Sequence, residues 1–224
     1  MKEYPKIANI FKFDEKYRSI CGWTDICSVL KNITWIGTEK VDGTNIRIYW
    51  DGHSITIAGR TEKSIIPDHL LKYLSDIFLQ KEMEYVFEQM FGEKEVYLFG
   101  EGYGPKIQTG GGLYSDSPKF ILFDVQIDGH DLNRKNVNDI AEKLGLESVP
   151  VVFRGTLEQA VTFVGAHPMS TLGNGEHEME GLVLTPSIQL YDNKGHLIRC
   201  KCKYRDLVKG GLTNDMLVVT SIAS

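Results

Sequence analysis

Cysteine is scarce in this chain: Cys21, Cys27, Cys200 and Cys202 are all there is in 224 residues, and no two form the C-x2-C pair that a zinc site needs. Cys200 and Cys202 alternate with Lys201 and Lys203 on an expected strand, so the thiols should point away from the lysine face. Buried free thiols in a reducing cytoplasm are the expectation. No apolar run approaches the roughly 20 residues that span a bilayer. The opening stretch MKEYPKIANIFKF lacks the apolar core and small-residue cleavage site of a signal peptide. Together these absences predict a cytoplasmic protein (host cytoplasm, if viral) without a membrane partner. An excess of positive charge is missing too. The net charge is −5, so contacts with phosphates must come from local clusters of basic residues. Three common catalytic motifs also fail. GEGYGPK is not G-x4-G-K-[ST], HEMEG is not H-E-x-x-H, and there is no G-x-S-x-G.

What is present is enough apolar material, 42% of the residues, to bury a sizeable core, and a single domain over residues 1–224 is expected. Residues 1–33 read as irregular with short helical pieces. TWIGTEK and NIRIYW read as strands around a turn at Asp42-Gly43, and Asp51-Gly52 starts a hairpin into SITIAGR. Pro67 to Met90 carries much of an apolar helical stripe. EVYLFGEGY and KFILFDVQI read as strands joined by a glycine-rich loop, Pro105 to Pro118, which is either a lid over substrate or a plain connector. Asn133 can cap a helix ending at Gly145, and Thr156 with Gln159 forms a candidate capping box. MEGLVLTP and HLIRCKCKY close the chain as strands. Strands outnumber helices and are mostly joined by turns, which predicts an α+β fold with largely antiparallel sheets and flanking helices.

The chemistry gathers around Lys40 in TEKVDGTN. A lysine that attacks phosphorus must be neutral, and an ordinary lysine, near about 10.4, is not. Lys201 and Lys203 share a strand face; folded beside Lys40 they would favour the neutral amine by repulsion and would hold triphosphate oxygens. Glu101 in FGEGYG and Glu180 in EGLVLTP can serve ribose hydroxyls or a magnesium ion. Arg60 in AGRT can pair with phosphate, Phe123 in FILFDV can offer its ring to a purine, and Asp124 beside it is a candidate metal partner. Each also has a bland reading: a surface lysine, a solvated carboxylate, a core phenylalanine. The basic run from Lys194 to Lys209 predicts salt-sensitive contact with a nucleic acid backbone.

In this order the motifs resemble the covalent nucleotidyltransferase superfamily, and within it the RNA ligase 2-like group of phage and RNA-editing ligases. EKVDGTN, AGRT, FGEGYG, FILFDV, EGLVL and IRCKCKY carry the resemblance, from about Thr38 to Asp206. It implies an ATP-grasp-like ligase adenylation domain that forms a lysyl-AMP at Lys40. It also implies that Glu39 and the Val41 backbone meet adenine while Phe123 stacks on it. Asn45, Arg60 and Glu101 would serve the ribose or phosphate side, Glu180 would assist metal binding, and Lys201 and Lys203 would contact the α-phosphate and leaving group. ATP, with Mg2+ or Mn2+, is the implied cofactor set. RNA ends are the implied partners, with a nicked duplex and an RNA/DNA hybrid both left open as their form. Asp42 stands where many members of the group have histidine, which keeps a minimal DNA ligase open as an alternative. A capping guanylyltransferase and an inactive nucleic-acid binding module are weaker ones. The chain ends soon after Lys203, leaving no room for an OB domain, and this favours RNA ligase.

Overall fold

The computed structural model describes residues 1–16, 19–173 and 175–212. In chain order the elements are β1 (Ala8–Asn9), β2 (Phe11–Phe13), β3 (Ile20–Trp23), α1 (Asp25–Leu30), β4 (Trp35–Glu39), β5 (Thr44–Trp50) and β6 (Ile55–Gly59). Then come α2 (Asp68–Phe78), α3 (Lys81–Phe91), β7 (Val96–Tyr103), β8 (Lys119–Ile127), β9 (His130–Asp131), α4 (Arg134–Lys143) and β10 (Glu147–Ser148). The last are β11 (Val151–Gly155), α5 (Leu157–Gly165), β12 (Gly181–Pro186), β13 (Cys200–Lys203) and α6 (Tyr204–Lys209). They fall into two compact units. The first holds Met1–Pro5 and Val41–Val149, the second Lys6–Lys40 and Pro150 onward.

The first unit is built on a sheet of order β10-β8-β7-β5-β6, with β9 beside β8. Only β10–β8 is parallel. The Asp51-Gly52 turn closes the β5–β6 hairpin as expected, with Gly52 at φ +97°. Ile46, Ile48 and Trp50 alternate onto one face of β5, where Leu70, Leu74 and Phe78 of α2, Phe87 of α3 and Val137 of α4 complete a core. The stretch expected as one helix is two, because Gln80 takes extended angles and starts α3 afresh. Asn133 caps α4, its side chain accepting from the Asn136 amide at 3.0 Å.

The second unit is built on a sheet of order β1-β13-β12-β4-β11, antiparallel except for β1–β13. Its core joins Trp35, Leu182, Leu184, Cys200 and Cys202 to Leu157, Ala160 and Val164 of α5 and Leu207 of α6. Thr156 and Gln159 make the expected capping box at the start of α5. Residues 1–33, expected as irregular, hold three short strands as well as one short helix. The β13 strand is shorter than expected, since Tyr204 turns into α6. All four cysteines are free; Cys27, Cys200 and Cys202 are buried as expected, whereas Cys21 is exposed. The described architecture is thus α+β with largely antiparallel sheets, and among the described residues neither large sheet closes into a barrel.

Candidate active site

In the second unit, three adjacent strand positions line up side by side. Lys40 follows β4 and donates its backbone N–H to Gly181 O at 3.0 Å, while Gly181 is the register partner of Lys203 across β12–β13. Strand alternation sends Cys200 and Cys202 into the core and Lys201 and Lys203 to the opposite face. Gly181 brings β12 into close approach with β13. It sits at φ +152°, and a Cβ there would run into the Cys202 carbonyl and stand 2.8 Å from Lys203 Cα, so only glycine fits. Glu180, the residue before Gly181, carries the carboxylate between the two lysines. Its Oε2 accepts from Lys40 Nζ at 2.6 Å and its Oε1 from Lys203 Nζ at 2.6 Å. The Glu180 carbonyl also accepts from the Tyr204 amide at 3.1 Å, which fixes the backbone that carries the carboxylate.

The three side chains remain 20% (Lys40), 15% (Glu180) and 9% (Lys203) exposed, so the cluster is desolvated but reachable. Burial pushes the Glu180 carboxyl up, but the charge of Lys40 and the hydrogen bonds from Lys203 and Lys40 outweigh it and hold the group below the usual glutamate range. Lys201, partly buried, is pushed down by burial and by repulsion from Lys203 and Lys40, against a smaller attraction to Asp206. Among the described residues no carboxylate comes within ion-pair distance of its amine. The sequence reading placed the lysines together; it did not foresee the carboxylate shared between two of them.

Glu39, one residue before Lys40, faces elsewhere. Its carboxylate is 1% exposed. It accepts from the Ser170 hydroxyl, from the Thr171 amide at 2.9 Å and from the Thr171 hydroxyl at 2.7 Å. Both oxygens of the side chain implied by resemblance to meet adenine are therefore already engaged by protein donors. Neither Ser170 nor Thr171 was singled out from the sequence. The segment STLGNG reads as an ordinary polar loop, and nothing local ties it to Glu39.

The other candidate residues belong to the first unit. Gly43 packs where a Cβ would run into the Gly102 carbonyl, so β5 approaches β7 closely. Asp42 Oδ2 accepts from the Gly110 amide at 3.1 Å, which pins the Pro105–Pro118 loop. Val41 is buried. Asn45 lies directly opposite Glu101 across β5–β7. The Asn45 side-chain oxygen is buried with no hydrogen-bond partner among the described residues. Arg60 is exposed just past β6. Phe123 is partly exposed, with the Tyr4 ring edge-on at 5.1 Å. Asp124 is engaged by its own unit: Tyr4 donates its hydroxyl to Oδ2 at 2.5 Å and Arg134 stands 3.7 Å from Oδ1. Among the described residues no three His, Cys, Asp or Glu side chains gather to hold a metal ion. Glu180 still suits a largely hydrated magnesium or manganese ion, which takes one or two carboxylates and fills its shell with water and substrate phosphate oxygens.

The pattern of the RNA ligase family matches residues 33–204, a span that contains Lys40, Glu180, Lys201 and Lys203 as well as Val41, Asn45, Arg60, Glu101, Phe123 and Asp124. The chain belongs to the RNA ligase family. Among solved structures, it resembles a Naegleria gruberi RNA ligase mutant with AMP and Mn at 15% identity and a TM-score of 0.61, covering 98% of this chain and 58% of that one. The Naegleria gruberi RNA ligase with PPi gives 17% identity and a TM-score of 0.61, covering 94% and 65%. An archaeal ATP-dependent RNA ligase gives 15% and 0.58, covering 92% and 49%. At such identities the likeness shows a shared fold. The chain spans about half to two-thirds of the length of these structures. Curated protein sequences give no significant match.

Proposed function

We propose that this RNA ligase family chain is an ATP-dependent RNA ligase acting through a covalent lysyl-AMP, with residues 1–224 serving as one adenylyltransferase domain. The single observation that carries the reading is the Lys40–Glu180–Lys203 cluster, in which each oxygen of one carboxylate takes one lysine at 2.6 Å. Lys40 is the nucleophile. Its nitrogen bonds to the α-phosphorus of ATP while the bond from that phosphorus to pyrophosphate breaks. Lys203 and Lys201 stabilise negative charge on the phosphates and the leaving group. Glu180 fixes the amine's direction and is the nearest acceptor for its proton. Glu180 would hold a divalent ion, which would supply positive charge against the phosphates.

On the first unit, the resemblance gives Phe123 a stacking role toward adenine. It gives Asn45, Arg60 and Glu101 roles toward ribose and phosphate, and the Val41 backbone a role toward the base. The orphaned Asn45 oxygen supports this, since a ribose hydroxyl would satisfy it. Glu180, rather than Asp124, is the carboxylate we assign to the metal, because it contacts Lys40, the proposed nucleophile, directly. The AMP then passes to an RNA 5′-phosphate, and a 3′-hydroxyl displaces it to join the strands.

Incubation with α-labelled ATP and magnesium should leave label on the protein, and Lys40→Ala should abolish it. Labelled Lys40→Ala protein would point to another nucleophile, and labelling by GTP alone would move the reading to a guanylyltransferase. Nicked duplexes with RNA or DNA 3′-ends then test the strand preference.

A further inference from the structure

Between α5 and Glu180 the chain forms a hairpin. Met169 bridges Glu178, Ser170 donates its amide to His177 O at 2.8 Å, and Met179 donates its amide to Pro168 O at 2.9 Å. The outgoing arm carries Ser170 and Thr171, and the return arm ends at Glu180. Two consecutive residues grip the two arms. Glu39 takes three hydrogen bonds from Ser170 and Thr171, and Lys40 donates to Glu180. Alternation along the end of β4 lets the two side chains leave on opposite sides, one inward to the hairpin base and one toward the shared carboxylate.

We infer that Glu39 is a positioning residue that acts through the Pro168–Met179 hairpin to set Glu180 between Lys40 and Lys203, and that its side chain does not read the base. The inference rests on the lysyl-AMP reading above and goes beyond it, since it moves the side chain from nucleotide recognition to the support of Glu180. Three features carry it. The carboxylate is fully buried and its oxygens are occupied. A purine amine reaching it would have to displace the donors that hold the hairpin. The hairpin has no free end at Glu180, because the β12 ladder begins at the next residue and Tyr204 holds the Glu180 carbonyl. A displacement of Ser170–Thr171 would therefore pass along a short, hydrogen-bonded path to the carboxylate, as outer-shell partners act on other polar sites.

The test uses Glu39→Gln, Ser170→Ala, Thr171→Val and the conservative Thr171→Ser, each checked by melting temperature. If Glu39 positions Glu180, the first three lower the maximal rate of protein labelling by about 10- to 100-fold. They leave the KM for ATP and the ATP-over-GTP preference within about twofold, and Thr171→Ser stays near wild type. Independently of activity, hydrogen exchange in the nucleotide-free protein should quicken across residues 166–180 in Glu39→Gln and Ser170→Ala. The inference is overturned if Glu39→Gln raises the KM for ATP or loosens base preference while Ser170→Ala and Thr171→Val behave as wild type. Unchanged exchange in the hairpin would overturn it too. A wild-type protein that takes no label sinks the nucleotidyl-transfer reading instead, and the exchange experiment then still decides whether Glu39 holds the hairpin.

Discussion

Two acidic side chains, one in each unit, meet their cations in opposite ways. Asp124 meets the Arg134 guanidinium at 3.7 Å and accepts from the neutral Tyr4 hydroxyl at 2.5 Å. It is 9% exposed, so the arrangement is close to a balanced, buried pair. Glu180 is crowded by lysines: two donate directly at 2.6 Å each, and both of those repel Lys201 nearby. A balanced pair is complete as it stands and has no call for a further ion. A carboxylate with more cations than it can neutralise invites an anion, and a triphosphate is the anion such a cluster suits. A carboxylate with cations thus makes a structural contact in one unit and, on the reading proposed above, a reactive one in the other, although Asp124 and Glu180 are about equally accessible; the difference is stoichiometry.

Exchanging each acid for its amide breaks the comparison most directly. Glu180→Gln removes the shared charge that aligns two lysines and should slow protein labelling by about 100-fold or more. Asp124→Asn should show the reverse balance. It leaves the partly exposed Arg134 beside a neutral amide, still donating to the Phe123 carbonyl, and costs about 1–3 kcal/mol of stability, read from a urea midpoint, while labelling falls far less. If Asp124→Asn cost as much labelling as Glu180→Gln at equal foldedness, Asp124 would belong to the reactive set after all.

Gly181→Ala sharpens the same contrast without touching a charge. The added methyl meets the Cys202 carbonyl and the Lys203 Cα, so β12 and β13 must part. A loss of about 1–3 kcal/mol is expected, with slower labelling because Lys40 and Lys203 no longer bracket Glu180. Tyr4→Phe, on the other unit, deletes one buried hydrogen bond to Asp124 and should cost only about 1–2 kcal/mol. Thermal or urea melts of both variants check the order.

What could be read from the sequence was what local chemistry specifies. Asp51-Gly52 makes its turn, Asn133 its cap and Thr156 its capping box, because each needs only residues within a few positions. The strands of the first 33 residues escaped because two- to four-residue strands show no alternation, and β1 exists only by pairing with β13. The break at Leu79–Gln80 was hidden under an apolar period that α2 and α3 both keep. In the site, Lys40, Glu180 and Lys203 were legible as types at suitable spacings. Their sharing of one carboxylate was not, since it depends on the register of three strands. The resemblance sent Glu39 to adenine, and nothing local in TEKVDG announces its burial, which is decided by Ser170 and Thr171, more than a hundred positions away.

The smallest expected effect is on acid stability, and it isolates Glu180 from the rest. Although burial pushes this carboxyl up, the charge of Lys40 and the hydrogen bonds from Lys203 and Lys40 bring it below its ordinary value. The folded protein therefore binds that proton less readily than the unfolded chain. The group's contribution to stability is complete above the unfolded value, about 4.3, and is lost as pH falls through the lower folded value. A glutamine cannot gain or lose this proton, so wild type and Glu180→Gln should differ in urea midpoint near pH 7 and converge as the carboxyl is protonated below about pH 4. The side chain is partly exposed, so solvent and salt screening should keep the gap modest and shrink it further in high salt. Two curves that stay parallel from neutral to acid pH would mean that the lysines do not hold Glu180 ionised in the folded protein.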